Sequence, residues 1–227
     1  RDTDRSRGLG DVYKRQTSKC EWGILKIMNT TVYADIREMK KYALDNKVPI
    51  MQDDGIDFLT TFVVKHQINS VLEIGTAIGY SAIMMALSNP NLKITTIERD
   101  RERYLEAVKN VKKFGLENRI TLVFHDALEA NIEGCFDMIF IDAAKGQNIN
   151  FFEKYELNLK SDGYIITDNM NFHGLVDKVD AEIESRNLRA LVRKIRAYRT
   201  YLLNHQGYNV ELLDIGAVSY THLTLPT

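Results

Sequence analysis

Several features are missing from this chain of 227 residues. It has two cysteines, Cys20 and Cys135, without metal-ligand spacing, which gives no support to a zinc module or a disulfide framework. No apolar run approaches the roughly 18 residues of a membrane span, and no signal peptide precedes Met28, so no membrane partner and a reducing cytoplasm are expected. Charge of one sign is also lacking. With 30 basic against 31 acidic side chains the formal net charge is −1, and only a local patch would point to nucleic acid. There is no internal repeat and no low-complexity tract. What is there, 44% hydrophobic and 27% charged, is the composition of an ordinary globular domain.

The two ends differ from the rest. One choice of codons for "DVYKRQ", residues 11–16, is GAT GTG TAT AAG AGA CAG, and its reverse complement contains GTC TCT TAT ACA CAT in another frame. That second string encodes "VSYTH", residues 218–222. Inverted copies of one DNA string at both ends resemble a library adapter of the transposase mosaic-end kind. Residues 1–16 and 218–227 are therefore read as translated adapter and set aside from fold reasoning. Residues 17–27 are either native or translated leader, and Met28 is the expected start. Residues 1–16 carry a net charge of +2, which leaves −3 on the remainder. About 190 residues from 28 to 217 suit one domain with a single core, its C-terminus expected to be cut short.

Short β-branched runs recur at 70–75, 93–98, 120–126, 136–142 and 163–169, alternating with helical patterns, and "YNVELLDIG" at 208–216 adds one strand more. Such alternation predicts a mostly parallel sheet with helices on both faces. Residues 80–88 and 101–115 carry the helical apolar spacing, the second ending on Gly115 as a cap. Residues 31–46 and 55–67 predict two helices flanking "KVPIMQDD", long enough to cover the ligand edge as an N-terminal helical lid. Ligands of such sheets sit at the carboxyl ends of the strands.

"EIGTAIGY" follows the first strand and opens a helix, so Gly75 and Gly79 fall where backbone passes close to a ligand. The spacing is not G-x-G-x-x-G, and Glu73 beside it would repel a diphosphate. S-adenosylmethionine, with its ammonium and sulfonium, suits a carboxylate-lined site. Glu98, ending the second strand, can accept both ribose hydroxyls. Asp126, with Ala127 next to it, stands where an adenine amino group would be received. A lone strand-end carboxylate can equally cap the next helix; three in register after a glycine loop point to a nucleoside.

Asp142 ends the fourth strand, with Lys145 one turn beyond, and Asp168 and Asn169 end the fifth. Neighbouring strands lie about 4.8 Å apart, so two carboxylates and an amide oxygen converge as a hard, incomplete octahedron of the kind that takes Mg²⁺. Taken alone, Asp-Asn is also a common turn. Together "EIGTAIGYSA", "TIERD", "FIDAAKGQ" and "TDNM" resemble the metal-dependent, catechol-type O-methyltransferases over nearly all of residues 31–216. The resemblance implies an α/β, Rossmann-like class I methyltransferase fold, with Asp142, Asp168 and Asn169 holding Mg²⁺ and Asp142 also bordering the cofactor. It makes Lys145 the general base and gives Glu98 the cofactor ribose. It further implies that Met51 and Ser81 touch the cofactor and that the protein is a homodimer.

The acceptor is read from residues 185–205. Leu188, Leu191, Val192, Ile195, Tyr198 and Leu202 form one apolar stripe, and Arg186, Arg189, Arg193 and Arg196 lie along another face. No acid occurs between Ser185 and Gln206. Such a row is commonly a solvated face, yet it also suits phosphate contacts. "LVRKI" with its arginine neighbours resembles the bacterial branch that methylates 5-hydroxyuridine at the wobble position of transfer RNA, whose 5-hydroxyl and 4-carbonyl can chelate Mg²⁺ as a catechol does. The expectation is thus an anticodon-loop substrate bound by the four arginines. The alternative is a small catechol or caffeoyl-thioester acceptor with the arginines structural. A non-catalytic RNA-binding module would leave Asp142, Lys145, Asp168 and Asn169 without a purpose, and an NAD oxidoreductase lacks its glycine spacing. In the family a final antiparallel strand follows "LLDIG"; here "VSYTHLTL" alternates with β-favouring residues and is available for that slot.

Overall fold

The computed structural model describes residues 30–168, 170–172, 174–215 and 218–224, with side chains described as far as Leu213. Helices α1 (Thr30–Asp45) and α2 (Asp53–Lys65) precede β1 (Ser70–Ile74), α3 (Tyr80–Ser88), β2 (Lys93–Glu98), α4 (Arg101–Lys113), β3 (Ile120–Phe124) and β4 (Phe136–Ile141). Then follow α5 (Asn148–Tyr155), β5 (Leu159–Thr167), α6 (Arg186–Leu203), β6 (Asn209–Ile215) and β7 (Val218–Thr224). The strands form one sheet in the order β3-β2-β1-β4-β5-β7-β6. The first five are parallel, and β7 runs antiparallel to both β5 and β6.

Alternation along the strands splits the core in two. Val71, Met138, Phe140 and Ile166 face α1, α2, α3 and α4. Leu72, Ile74, Ile139, Ile141 and Ile165 face α5 and α6. Helix α4 stops as its composition demands: Gly115 adopts φ +66°, its N–H donates to Lys112 O and Leu116 N–H to Val111 O, each at 3.0 Å. This paired closure is the Schellman motif.

Three features depart from the sequence reading. Strand β5 starts at Leu159 rather than 163, because the turn-like "KSDG" is absorbed as a register shift opposite Phe136 and Met138. Helix α5 was not singled out, although Asn148, Phe151, Phe152 and Tyr155 are its buried face. Helices α1 and α2 pack on the sheet face through Ile36, Met39, Leu59 and Val63, and only the link Pro49–Gln52 between them reaches the ligand cleft. The covering element is thus the linker. The segment read as adapter supplies β7, whose backbone fills the slot between β5 and β6 and leaves neither β5 edge bare.

Candidate active site

Strand register builds the site. Ile97, Ile74, Ile141 and Thr167 stand in one row across β2, β1, β4 and β5. The next residues are Glu98, Gly75, Asp142 and Asp168, so three acids and a glycine line up at the carboxyl ends. Backbone bonds hold the row: Asp142 N–H donates to Ile74 O at 2.9 Å and Asp168 N–H to Ile141 O at 3.1 Å. A cleft of 640 Å³ opens above it.

Gly75 has no room for a side chain. A Cβ there would lie 2.4 Å from Asp142 O, and its φ is +103°. Gly79, at φ +84°, caps α3 and lies outside the cleft lining; its N–H donates to Thr76 O at 2.8 Å. Between them Ala77, at φ +47°, turns its N–H onto Glu98 Oε2 at 2.8 Å, while Glu98 Oε1 accepts from Asp100 N–H at 2.8 Å. Glu98 is therefore a fixed acceptor at the cleft wall. Asp126 also lines the cleft, with Ala127 beside it. The Leu128 N–H and the Arg99 guanidinium bond its two oxygens and hold its pKa below the usual carboxylate value. It thus serves as cap and wall together. Met51 and Ser81 line the same cleft.

Glu73 does not face the cleft. It is fully buried and accepts hydrogen bonds from Ser81 Oγ and Thr96 Oγ1. Burial pushes its carboxyl up from 4.5 to about 7 against those two bonds, with repulsion from Asp142 and Glu98 adding to the rise. It braces the first turn of α3 from behind through Ser81.

Beyond Asp142, Lys145 opens a turn of 3-10 helix, Lys145–Gln147. Its Nζ donates to Asp142 Oδ1 at 2.8 Å and lies 3.9 Å from Asp168 Oδ2. Burial pulls the pKa of Lys145 down, but attraction to Asp142 and Asp168 outweighs it and the net direction is upward. Two carboxylates that already share one cation form a hard, oxygen-only set that fits a divalent ion. Among the described residues no three His, Cys, Asp or Glu side chains cluster for a metal, and Asn169, the expected third ligand, lies outside the described residues. Phe172, which the sequence reading passed over, lines the cleft at φ +43°. An aromatic four residues beyond Asp168 was its signal.

The arginine row does not present itself as a phosphate surface. Arg189 donates to Ile183 O at 2.8 Å. Arg193 Nε pairs with Asp180 at 2.5 Å, and Arg196 bonds Asp180 and the carbonyls of Leu175, Val176 and Lys178. Of the four, only Arg186 has no hydrogen-bond or ion-pair partner among the described residues. The acid that compensates the row, Asp180, lies just upstream of the segment in which none was found.

A family model described as O-methyltransferase matches residues 27–201. A provisionally named caffeoyl-CoA O-methyltransferase of Arabidopsis thaliana is 31% identical over 176 residues, 68% of this chain and 75% of that protein. Among solved structures, a provisionally named caffeoyl-CoA O-methyltransferase from Staphylococcus aureus superposes with TM-score 0.79 at 32% identity, covering 96% of this chain and 98% of that one. A Podospora anserina methyltransferase bound to S-adenosylhomocysteine shares the fold, with TM-score 0.79 at 20% identity and 96% of each chain covered.

Proposed function

This chain belongs to the O-methyltransferase family and is an S-adenosylmethionine-dependent O-methyltransferase, and we propose that it methylates one hydroxyl of a small phenol with two neighbouring oxygens, of the catechol or caffeoyl class. The observation that carries this is the convergence of Asp142 and Asp168 on the half-buried Lys145 ammonium beside the glycine loop. Asp142, Asp168 and Asn169 would hold Mg²⁺. When bound, the cation acidifies the chelated hydroxyl and the cofactor supplies the methyl group.

The chain's own residues do the rest. Glu98 orients the ribose and Asp126 the adenine, while Met51 and Ser81 border the methionine end. Lys145 Nζ, as the neutral amine, is placed to take the proton released by the acceptor hydroxyl; the ammonium that Asp142 and Asp168 hold must first give up its own proton. The new O–CH₃ bond forms as the S–CH₃ bond breaks, and the sulfonium charge is lost as the proton leaves. Phe151, Phe172 and Tyr80 close the walls, so proximity and exclusion of water are the protein's main contributions. Homodimer assembly belongs to this proposal as well.

The wobble-base reading shares the vicinal-oxygen chemistry but needs phosphate contacts, and three of the four arginines donate into their own chain. The small phenol therefore takes precedence. The test is methyl transfer from S-adenosylmethionine, with and without chelator, to catechol, caffeoyl-CoA and hypomodified transfer RNA. Chelator-sensitive labelling of the phenols is expected. Labelling of RNA alone would overturn the choice of acceptor, and chelator-insensitive transfer would overturn the metal.

A further inference from the structure

Helix α6 touches each segment that carries an acceptor-side group. The stem of Lys194 fills the space over Gly146, its Cδ 3.2 Å from where a glycine Cβ would stand, next to Lys145. Tyr198 Oη lies 3.0 Å from Thr167 Oγ1, one residue before Asp168. The third contact is the densest. Arg196 Nε donates to Val176 O at 2.7 Å, Nη1 to Asp180 Oδ1 at 2.6 Å, and Nη2 to the carbonyls of Leu175 and Lys178.

Four acceptors for one planar guanidinium leave the loop over residues 175–180 little freedom. That loop is in turn bonded to the cleft wall: Leu175 N–H donates to Phe172 O at 3.1 Å and Val176 N–H to Asn171 O at 3.3 Å. Phe172 lines the cleft and holds a left-handed backbone, a conformation that persists only where its surroundings enforce it.

We infer that Arg196 is a positioning residue for the acceptor pocket, fixing Phe172 through the Leu175–Asp180 loop, and is not a phosphate ligand. The inference rests on the reading that the acceptor lies on the Asp168 side of the cleft. It sets a specific contrast between side chains. Lysine keeps the charge at 196 but loses the planar fork, so Arg196→Lys preserves a phosphate contact and breaks a carbonyl clamp.

The test uses the full chain and three readouts. Calorimetry with S-adenosylhomocysteine checks that Arg196→Lys folds and keeps its cofactor site, within twofold of wild type. Trypsin reads the loop directly, because the carbonyl of the scissile Lys178–Val179 bond is one of those that Arg196 holds; cleavage there is expected to accelerate at least tenfold. Kinetics with the phenol that wild type methylates are expected to show KM for the acceptor raised roughly tenfold or more, with KM for the cofactor unchanged. Wild-type trypsin resistance, or unchanged acceptor KM, would overturn the inference. If wild type methylates no phenol, the proposed acceptor fails by that result alone, and the trypsin comparison still decides the role of Arg196.

Discussion

Replacing Glu73 by glutamine should make the protein more stable at alkaline than at acid pH relative to wild type. Glu73 is fully buried between β1 and α3, and its carboxyl is pushed from 4.5 to about 7. Between those values the folded chain holds a proton that the unfolded chain has released. The unfolded state then binds fewer protons, so stability falls as pH rises through this window and levels off above it. At 1.36 kcal/mol per tenfold the whole change is about 3 kcal/mol. Glutamine cannot ionise, and its amide must reverse one of the hydroxyl bonds from Ser81 or Thr96, an offset that does not vary with pH. Urea unfolding of both proteins without cofactor at pH 5, 6, 7 and 8 isolates the effect, since titrating groups that do not interact with Glu73 cancel in the difference. The stability of Glu73→Gln minus wild type should climb by about 2.5 kcal/mol from pH 5 to pH 8, most of it by pH 7. A difference that stays level across this range would refute the buried, proton-holding carboxylate.

Gly75→Ala places a Cβ 2.4 Å from Asp142 O at φ +103°; the backbone conformation alone should cost about 1–3 kcal/mol, read by thermal melting, with weakened S-adenosylhomocysteine binding in calorimetry. Asp168→Asn should lower methyl transfer by more than about 100-fold, since even outer partners of a metal site are worth 10–100-fold, while calorimetric cofactor affinity holds. Leu59→Ala, at a fully buried position of α2, should lose about 2–5 kcal/mol in urea unfolding without changing transfer per folded molecule, because Leu59 lies outside the cleft lining.

The five parallel strands were legible because each holds a short apolar run with β-branched residues set between helical patterns or turns, and the acids at their ends were legible because such runs stop at polar residues. Glu73 was misplaced although strand parity carried the answer: Val71 shares its side of β1 and faces α3, while Leu72 and Ile74 face the other layer. The lid reading took helix length as its guide, whereas Ile56, Leu59 and Val63 already spelled a core-facing stripe. Helix α5 hid behind Asn148, a polar residue at a buried position. The arginines were beyond a local reading altogether. Helical spacing reports neighbours three and four residues away, but the partners of Arg196 are 16 to 21 residues upstream, in a loop folded back over α6.

The row Glu98, Gly75, Asp142, Asp168 explains why one cleft serves two ligands. Carboxylates on neighbouring strands, in steps of about 4.8 Å, repel unless held, and the two ends of the row are held differently. Glu98 takes two backbone N–H groups, a cage that keeps it in place as an acceptor for hydroxyls. Asp142 and Asp168 share a side-chain ammonium, a partner that can move when a harder cation competes. Gly75 separates the two halves, and a side chain there would strike the carbonyl of Asp142. In the proposed function the cofactor crosses the row at this gap, sulfonium toward Asp142 and nucleoside toward Glu98. The acceptor meets it from the Asp168 side, where Arg196 holds the wall.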